Sequence, residues 1–229
     1  MLPAWLVQRV PRDHRERDHV SRRRRRVVAG TAVAGAGLLG LSLSTEPGST
    51  EFYGLTLGVA ATWIAGGLAS GPLQLGHTRR GGTRPVLTPI LLGAGAFGLF
   101  YGCALVSRRI PVLNGAIATI LRYSDKGAQS LVLCAALANG VAEEVFFRGA
   151  LYTAAGERHP VVSSTAVYAL ATAATRNPAL VLASGVMGTL FGLQRRASGG
   201  IQAPMLTHLV WSTLMLRYLP PLFRKPTTW

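Results

Sequence analysis

Residues 128–155 read AQSLVLCAALANGVAEEVFFRGALYTAA. This is an apolar run long enough to cross a bilayer, since about 20 residues span the hydrocarbon core. It carries Glu143, Glu144 and Arg148 in its middle, and the whole chain has only six glutamates. Each such charge near a membrane helix centre costs about 2.5 to 3.5 kcal/mol on insertion scales. Three of them within six positions must therefore pair with one another or face a wet cavity, which makes the segment a functional candidate by default. On a helix Glu144 and Arg148 are four apart and share a face, so they can pair. Glu143 is turned about 100° from Glu144 and points elsewhere, into a cavity. That division suits a general base, Glu143, beside a carboxylate held by its arginine.

Six further apolar stretches accompany it, at about 27–43, 52–70, 86–107, 161–175, 179–194 and 201–219. The composition agrees. In 229 residues hydrophobic side chains make up 49% and charged ones 14%, with 27 glycines and a mean hydropathy of +0.31. A soluble domain carries about 25% charged residues. The expected fold is an all-α polytopic membrane bundle of about seven transmembrane helices around a polar core cavity. The stretches at 161–175 and 179–194 are short for a crossing and read as core helices shielded by their neighbours. Four segments follow: an Arg-rich cytoplasmic tail at 1–26, N-terminal membrane helices at 27–120, a catalytic core at 121–219 and a C-terminal tail at 220–229.

The net charge of +15 is concentrated at the start. Nine of the 24 basic residues lie in the first 26 positions, ending in the run Arg22–Arg26. A basic block directly before an apolar segment reads as a cytoplasmic anchor, not as a nucleic-acid face, which needs a folded basic surface or a known motif. The first loop holds Glu46 and Glu51 and no basic residue, and reads as external. Arg79, Arg80, Arg84, Arg158 and the pair Arg195/Arg196 read as internal loops. The loop 108–127 carries four basic residues yet falls outside in this scheme, so its stretch Ile110–Leu121 reads as an interfacial or re-entrant helix. With so much Ala, Gly and Arg the chain reads as a multi-pass protein of a bacterial cytoplasmic membrane, its N-terminus inside. Cys103 and Cys134 sit in apolar stretches and read as small buried hydrophobes. Glycines four apart, at Gly54/Gly58, Gly67/Gly71 and Gly188/Gly192, predict close helix packing.

A second polar group lies in the last apolar stretch, Thr207-His208-Leu209-Val210-Trp211-Ser212. His208 and Ser212 share a face. Pro204, one turn earlier, frees backbone groups nearby. A histidine with a hydroxyl neighbour can donate to a developing oxyanion, although a lone membrane histidine is more often satisfied within the core.

The stretch Ala142-Glu-Glu-Val-Phe-Phe-Arg-Gly-Ala-Leu-Tyr152 resembles the EExxxR motif of the CPBP intramembrane proteases. These are the CAAX proteases and bacteriocin-processing proteins, also called Abi. Gly188 to Ser212, with Gly199-Gly200-Ile-Gln-Ala-Pro204 ahead of Thr207-His208, resembles their last two core helices. The likeness covers residues 128 to 215. It implies a glutamate-type endopeptidase that hydrolyses a peptide bond of a membrane-associated protein or peptide. In that scheme Glu143 is the base, Glu144 and Arg148 support it, and His208 stabilises the oxyanion. Two positions depart from the family pattern. Thr172, in Tyr168-Ala-Leu-Ala-Thr172, stands where the FxxxH motif has His, and the alternative register Phe191-Gly-Leu-Gln-Arg195 lacks it too. Ser212 stands where Asn is usual. Threonine cannot take a proton at neutral pH as imidazole does, so water activation rests on Glu143. No cofactor is expected, and a divalent metal is disfavoured because only His208 and the two glutamates remain as ligands. The expected partners are the bilayer and the peptide substrate, with no nucleic acid. Two other readings follow from the same residues. One is an inactive relative serving as a membrane binding scaffold or immunity-type protein; the other is a proton-coupled transporter using Glu143, Glu144 and His208.

Overall fold

The computed structural model describes residues 18–76 and 84–223, and within these every regular element is helical. Helix α1 spans Asp18–Ser42, α2 Thr50–Ala69, α3 Leu87–Ser107 and α4 Pro111–Asp125. Helix α5 starts at Gln129–Glu143, continues as a π-helix over Glu144–Leu151 and closes in Tyr152–Ala154. Then follow α6 (Pro160–Ala173), α7 (Pro178–Ser198), α8 (Gln202–Tyr218) and a 3₁₀ turn at Pro220–Leu222. Each of the seven apolar stretches thus forms a helix, and the eighth helix, α4, falls in the charged loop. The fold is a helical membrane bundle. Among the described residues three helices are long and apolar enough to cross a bilayer: α2, α3 and the 26-residue α5 with its continuation, while α6 is a shorter apolar helix.

Local signals set the boundaries. The Ser49 hydroxyl accepts from the Phe52 amide (3.0 Å) and caps α2. Pro111, Pro160 and Pro178 open α4, α6 and α7 at the first turn, where the missing N–H costs nothing. The Asn177 side chain accepts from the amides of Ala179 and Leu180 and donates to the Ala116 carbonyl at 2.9 Å, fastening the start of α7 to α4. Gly199, at φ 69°, ends α7 in the left-handed conformation that glycine adopts without strain.

Helix α1 begins earlier than the apolar stretch does. Within the described residues Asp18 to Arg26 are already helical, and Arg24 is buried, donating to the Ser70 hydroxyl at 3.1 Å. The remaining arginines of the run, Arg22, Arg23, Arg25 and Arg26, are exposed. The rest of the expected tail, the residues around His77 and the final six positions lie outside the described residues.

The core forms where α1, α2, α5 and α6 meet. Trp63 is fully buried, stacks on Phe146 (centroids 4.6 Å apart) and meets Phe147 at 5.0 Å. Gly35 gives the Trp63 ring its seat, since a Cβ there would collide with it. Helix α8 packs on α3 at Gly93, where a Cβ would stand 2.8 Å from the Thr207 carbonyl oxygen.

Several sequence expectations are corrected here. Gly188 and Gly192 do lie at a close contact, against Thr165 and Val161 of α6, and Gly67 meets Val145. Gly54 and Gly58 face open space, because that side of α2 has no neighbour among the described residues. Cys103 and Cys134 are exposed on α3 and α5. In a membrane helix the outward face is apolar too, so hydrophobic character does not imply burial. Arg195 and Arg196 are not in a loop. Helix α7 runs on through them because the polar side chains of its last turns find partners inside the bundle. Gln194 donates to the Thr207 hydroxyl at 2.7 Å, and Arg195 Nε donates to the Arg148 carbonyl at 2.9 Å.

Candidate active site

The polar residues of α5 divide as their positions require. Glu143 is the last residue of the α-helical part and Glu144 the first of the π-helical part. Glu144 is fully buried, whereas Glu143 is partly exposed. Arg148, also fully buried, donates from Nη1 to Glu144 Oε1 at 3.3 Å. Its guanidinium carbon lies 4.6 Å from the Tyr168 ring centre and 5.1 Å from that of Phe191. A cation held over aromatic faces in a dry interior gains an attraction that water would otherwise screen. Gly188 makes room for this packing, since a Cβ there would stand 3.3 Å from Arg148 Nη2.

Helix α8 brings the histidine. His208 Nδ1 lies 2.9 Å from the same Glu144 Oε1, and its ring stacks on Phe191 with centroids 4.8 Å apart. Against a carboxylate, which only accepts, Nδ1 carries the proton. Nε2 is left as the working nitrogen: an acceptor in neutral imidazole, a donor in imidazolium. It has no hydrogen-bond partner among the described residues, and a Cβ on Gly140 would stand 3.6 Å from it. Gly140 therefore leaves a bare stretch of α5 facing His208, one turn before Glu143. The adjacent Thr207 is fixed by a chain of bonds, accepting from Gln194 and donating to the Pro89 carbonyl at 2.9 Å. This chain ties α7, α8 and the start of α3 together.

Glu143 is held from α6. The Tyr168 hydroxyl donates to Glu143 Oε2 at 2.5 Å. The other oxygen, Oε1, has no hydrogen-bond partner among the described residues. Thr172 is buried one turn further along α6, and its hydroxyl donates to the Tyr168 carbonyl at 2.8 Å, within its own helix. Ser212 lies one turn beyond His208, half-buried, with no hydrogen bond among the described residues. The structure thus brings Glu143, Glu144, Arg148 and His208 into one cluster. Thr172 and Ser212 flank it without bonding to the other four.

The sequence reading missed several members. Tyr168 entered it only as the first position of a motif register, although a tyrosine among small and branched residues on a short apolar helix is a visible oddity. Gly140 carries no polar signal at all, Phe191 entered only as the start of an alternative register, and Gly188 only as a packing glycine. Among the described residues no three His, Cys, Asp or Glu side chains converge as a set of metal ligands. The nearest approach to such a set, Glu144 with His208, already has its shared oxygen engaged by Arg148.

Comparison with curated proteins and with solved structures gave no match. Comparison with protein families gave one, to the type II CAAX prenyl endopeptidase Rce1-like model over residues 127–214. That span holds α5, α6, α7 and most of α8, and with them every side chain of the cluster. The match falls on the part of the chain that builds the site, and it is a similarity of residues 127–214 to that family.

Proposed function

We propose that the chain is an intramembrane endopeptidase in which Glu143 activates water against a peptide bond of a membrane-associated substrate. The observation that carries this reading is the state of the Glu143 carboxylate. It is partly exposed, one oxygen is held by Tyr168, and the other is free of hydrogen bonds among the described residues, one turn along α5 from the bare Gly140 that faces His208. A base must stand within hydrogen-bond reach of the proton it takes, with its own orientation fixed from behind. Water bound at Oε1 gives its proton to Glu143 while its oxygen attacks the scissile carbonyl. The same proton passes to the leaving amine as the C–N bond breaks. His208 faces the developing oxyanion through Nε2, which serves as donor in the protonated ring, and Ser212 supplies a hydroxyl one turn away. Glu144 and Arg148 act behind this layer. Glu144 sets the imidazole orientation, and Arg148 balances its charge in the dry interior. The protein sits in a bacterial cytoplasmic membrane with its N-terminus inside. Supporting the orientation are the exposed arginines at the start of α1 against Glu46 in the loop that follows and Glu51 at the start of α2.

A second reading, a scaffold that binds a membrane peptide without cutting it, draws support from Thr172. A threonine bonded into its own helix offers no proton acceptor where the family pattern has an imidazole. One experiment separates the two. Purified protein in detergent is given a panel of fluorogenic membrane and prenylated peptides, beside Glu143→Gln, with thermal melts of both. The expected result is cleavage by the wild type, lowered about 100- to 10,000-fold in a folded Glu143→Gln protein, the range of a positioned acid–base group. Equal cleavage by both would overturn the role of Glu143. Peptide binding without cleavage by the wild type would favour the scaffold.

A further inference from the structure

We infer that Tyr168 is a positioning residue of this chain: its phenol fixes the Glu143 carboxylate so that Oε1 alone faces the reacting water. The inference rests on the reading of Glu143 as the base and deepens it. Three contacts support it. The hydroxyl donates to Glu143 Oε2 at 2.5 Å, a separation within the charge-assisted range. The ring packs against the Arg148 guanidinium, 4.6 Å from its centre, and against the Phe147 ring, 4.7 Å away at 51°. Thr172, the residue one turn on, bonds back to the Tyr168 carbonyl and offers Glu143 nothing.

A carboxylate at the end of a helix side chain rotates about its terminal bond with little preference. Left to itself, Glu143 would present either oxygen to water in many orientations. A donor on Oε2, carried by a ring that packs against a cation and a second ring, removes that freedom before substrate arrives. Preorganisation of this kind acts on the rate of the chemical step more than on ground-state binding. Nothing in the packing requires the hydroxyl, since the ring alone makes the contacts with Arg148 and Phe147. A tyrosine at 168 therefore supplies, from one turn earlier on α6, an orienting bond to the base that Thr172 does not make.

The test compares wild type, Tyr168→Phe and Glu143→Gln, with Tyr123→Phe as a control hydroxyl outside the site. Phenylalanine keeps the ring, so the fold is retained and melts of Tyr168→Phe stay near those of the wild type. For turnover, kcat falls about 10- to 100-fold in Tyr168→Phe, the loss expected for one hydrogen bond to a charged group, while KM changes less than threefold. For structure without turnover, the infrared carboxyl band assigned to Glu143 by its loss in Glu143→Gln shifts in Tyr168→Phe and stays put in Tyr123→Phe. An unmoved band, or a kcat equal to wild type beside a dead Glu143→Gln, overturns the inference and leaves the role of Glu143 intact. A shifted band in a protein whose Glu143→Gln variant cleaves as well as wild type keeps the contact but removes its catalytic purpose, and with it the inference. Should Tyr168→Phe not fold, the band is read instead in Arg148→Lys. That variant loosens the packing on the Tyr168 ring and broadens the band if the ring holds Glu143; an unchanged band there overturns the inference.

Discussion

Helices α3 and α5 are both long enough to cross a bilayer, yet they are built on opposite plans. Helix α3 is the more apolar of the two, and only 11% of its membrane-length stretch is buried inside the bundle. Helix α5, with two glutamates and an arginine, is 33% buried. In a soluble protein the more apolar helix would be expected inside. Here lipid is as good a solvent for leucine as another helix is, so apolarity gives no reason to be central. What needs the interior is the charged helix, because only the bundle can supply counter-charges and hydrogen bonds. Leu91, Leu99 and Val106 of α3 lie outward, while Glu144 and Arg148 of α5 are fully enclosed. Interior and exterior are sorted by polar need.

The sharpest attack on this contrast is Arg148→Ala. It leaves Glu144 buried without its counter-charge, an imbalance expected to cost about 3 to 5 kcal/mol. Thermal unfolding in detergent should show the variant grossly destabilised or absent from the folded fraction; a melt close to wild type would mean that His208 alone satisfies Glu144. A smaller effect is expected where α3 does meet the bundle. At Gly93 a Cβ would stand 2.8 Å from the Thr207 carbonyl oxygen and 2.9 Å from Val210 Cβ, so Gly93→Val must push α3 away from α8. The expected loss is about 1 to 3 kcal/mol, the usual cost of overpacking, again read from the melting curve. Least of all should happen at Leu99, which is 61% exposed. Leu99→Ala should alter stability by less than about 0.5 kcal/mol, as at other outward positions. A large loss there would place that face of α3 against protein and undo the comparison.

The same sorting explains what the sequence disclosed. Apolar runs mark membrane helices plainly, so α1 to α3 and α5 to α8 were legible, with boundaries within a few residues for most of them. Glu143, Glu144 and Arg148 were legible because charges stand out against an apolar run, and their helical spacing foretold the Glu144–Arg148 pair. Contacts that depend on how helices pack were not. Tyr168 stands out in the sequence of α6, but its partner Glu143 appears only when α6 is laid against α5. Gly54/Gly58 and Gly188/Gly192 have identical spacing, and only the presence of a neighbour tells them apart. Arg195 was read as a loop residue because charge usually ends a membrane helix; its buried partner, the Arg148 carbonyl, lies 47 positions away. The π-helical run from Glu144 to Leu151 has no compositional signature, although such geometry is frequent at functional sites.

The Glu144 carboxylate has one partner within a single turn of chain and another 64 positions downstream. During synthesis the turn holding Arg148 is complete long before α8 emerges. Helix α5 therefore brings the counter-charge for Glu144 with it, whereas Glu143 waits for Tyr168 of the next helix. The histidine joins last, meeting a carboxylate already held in place, so the order of assembly is written into the spacing of the partners along the chain.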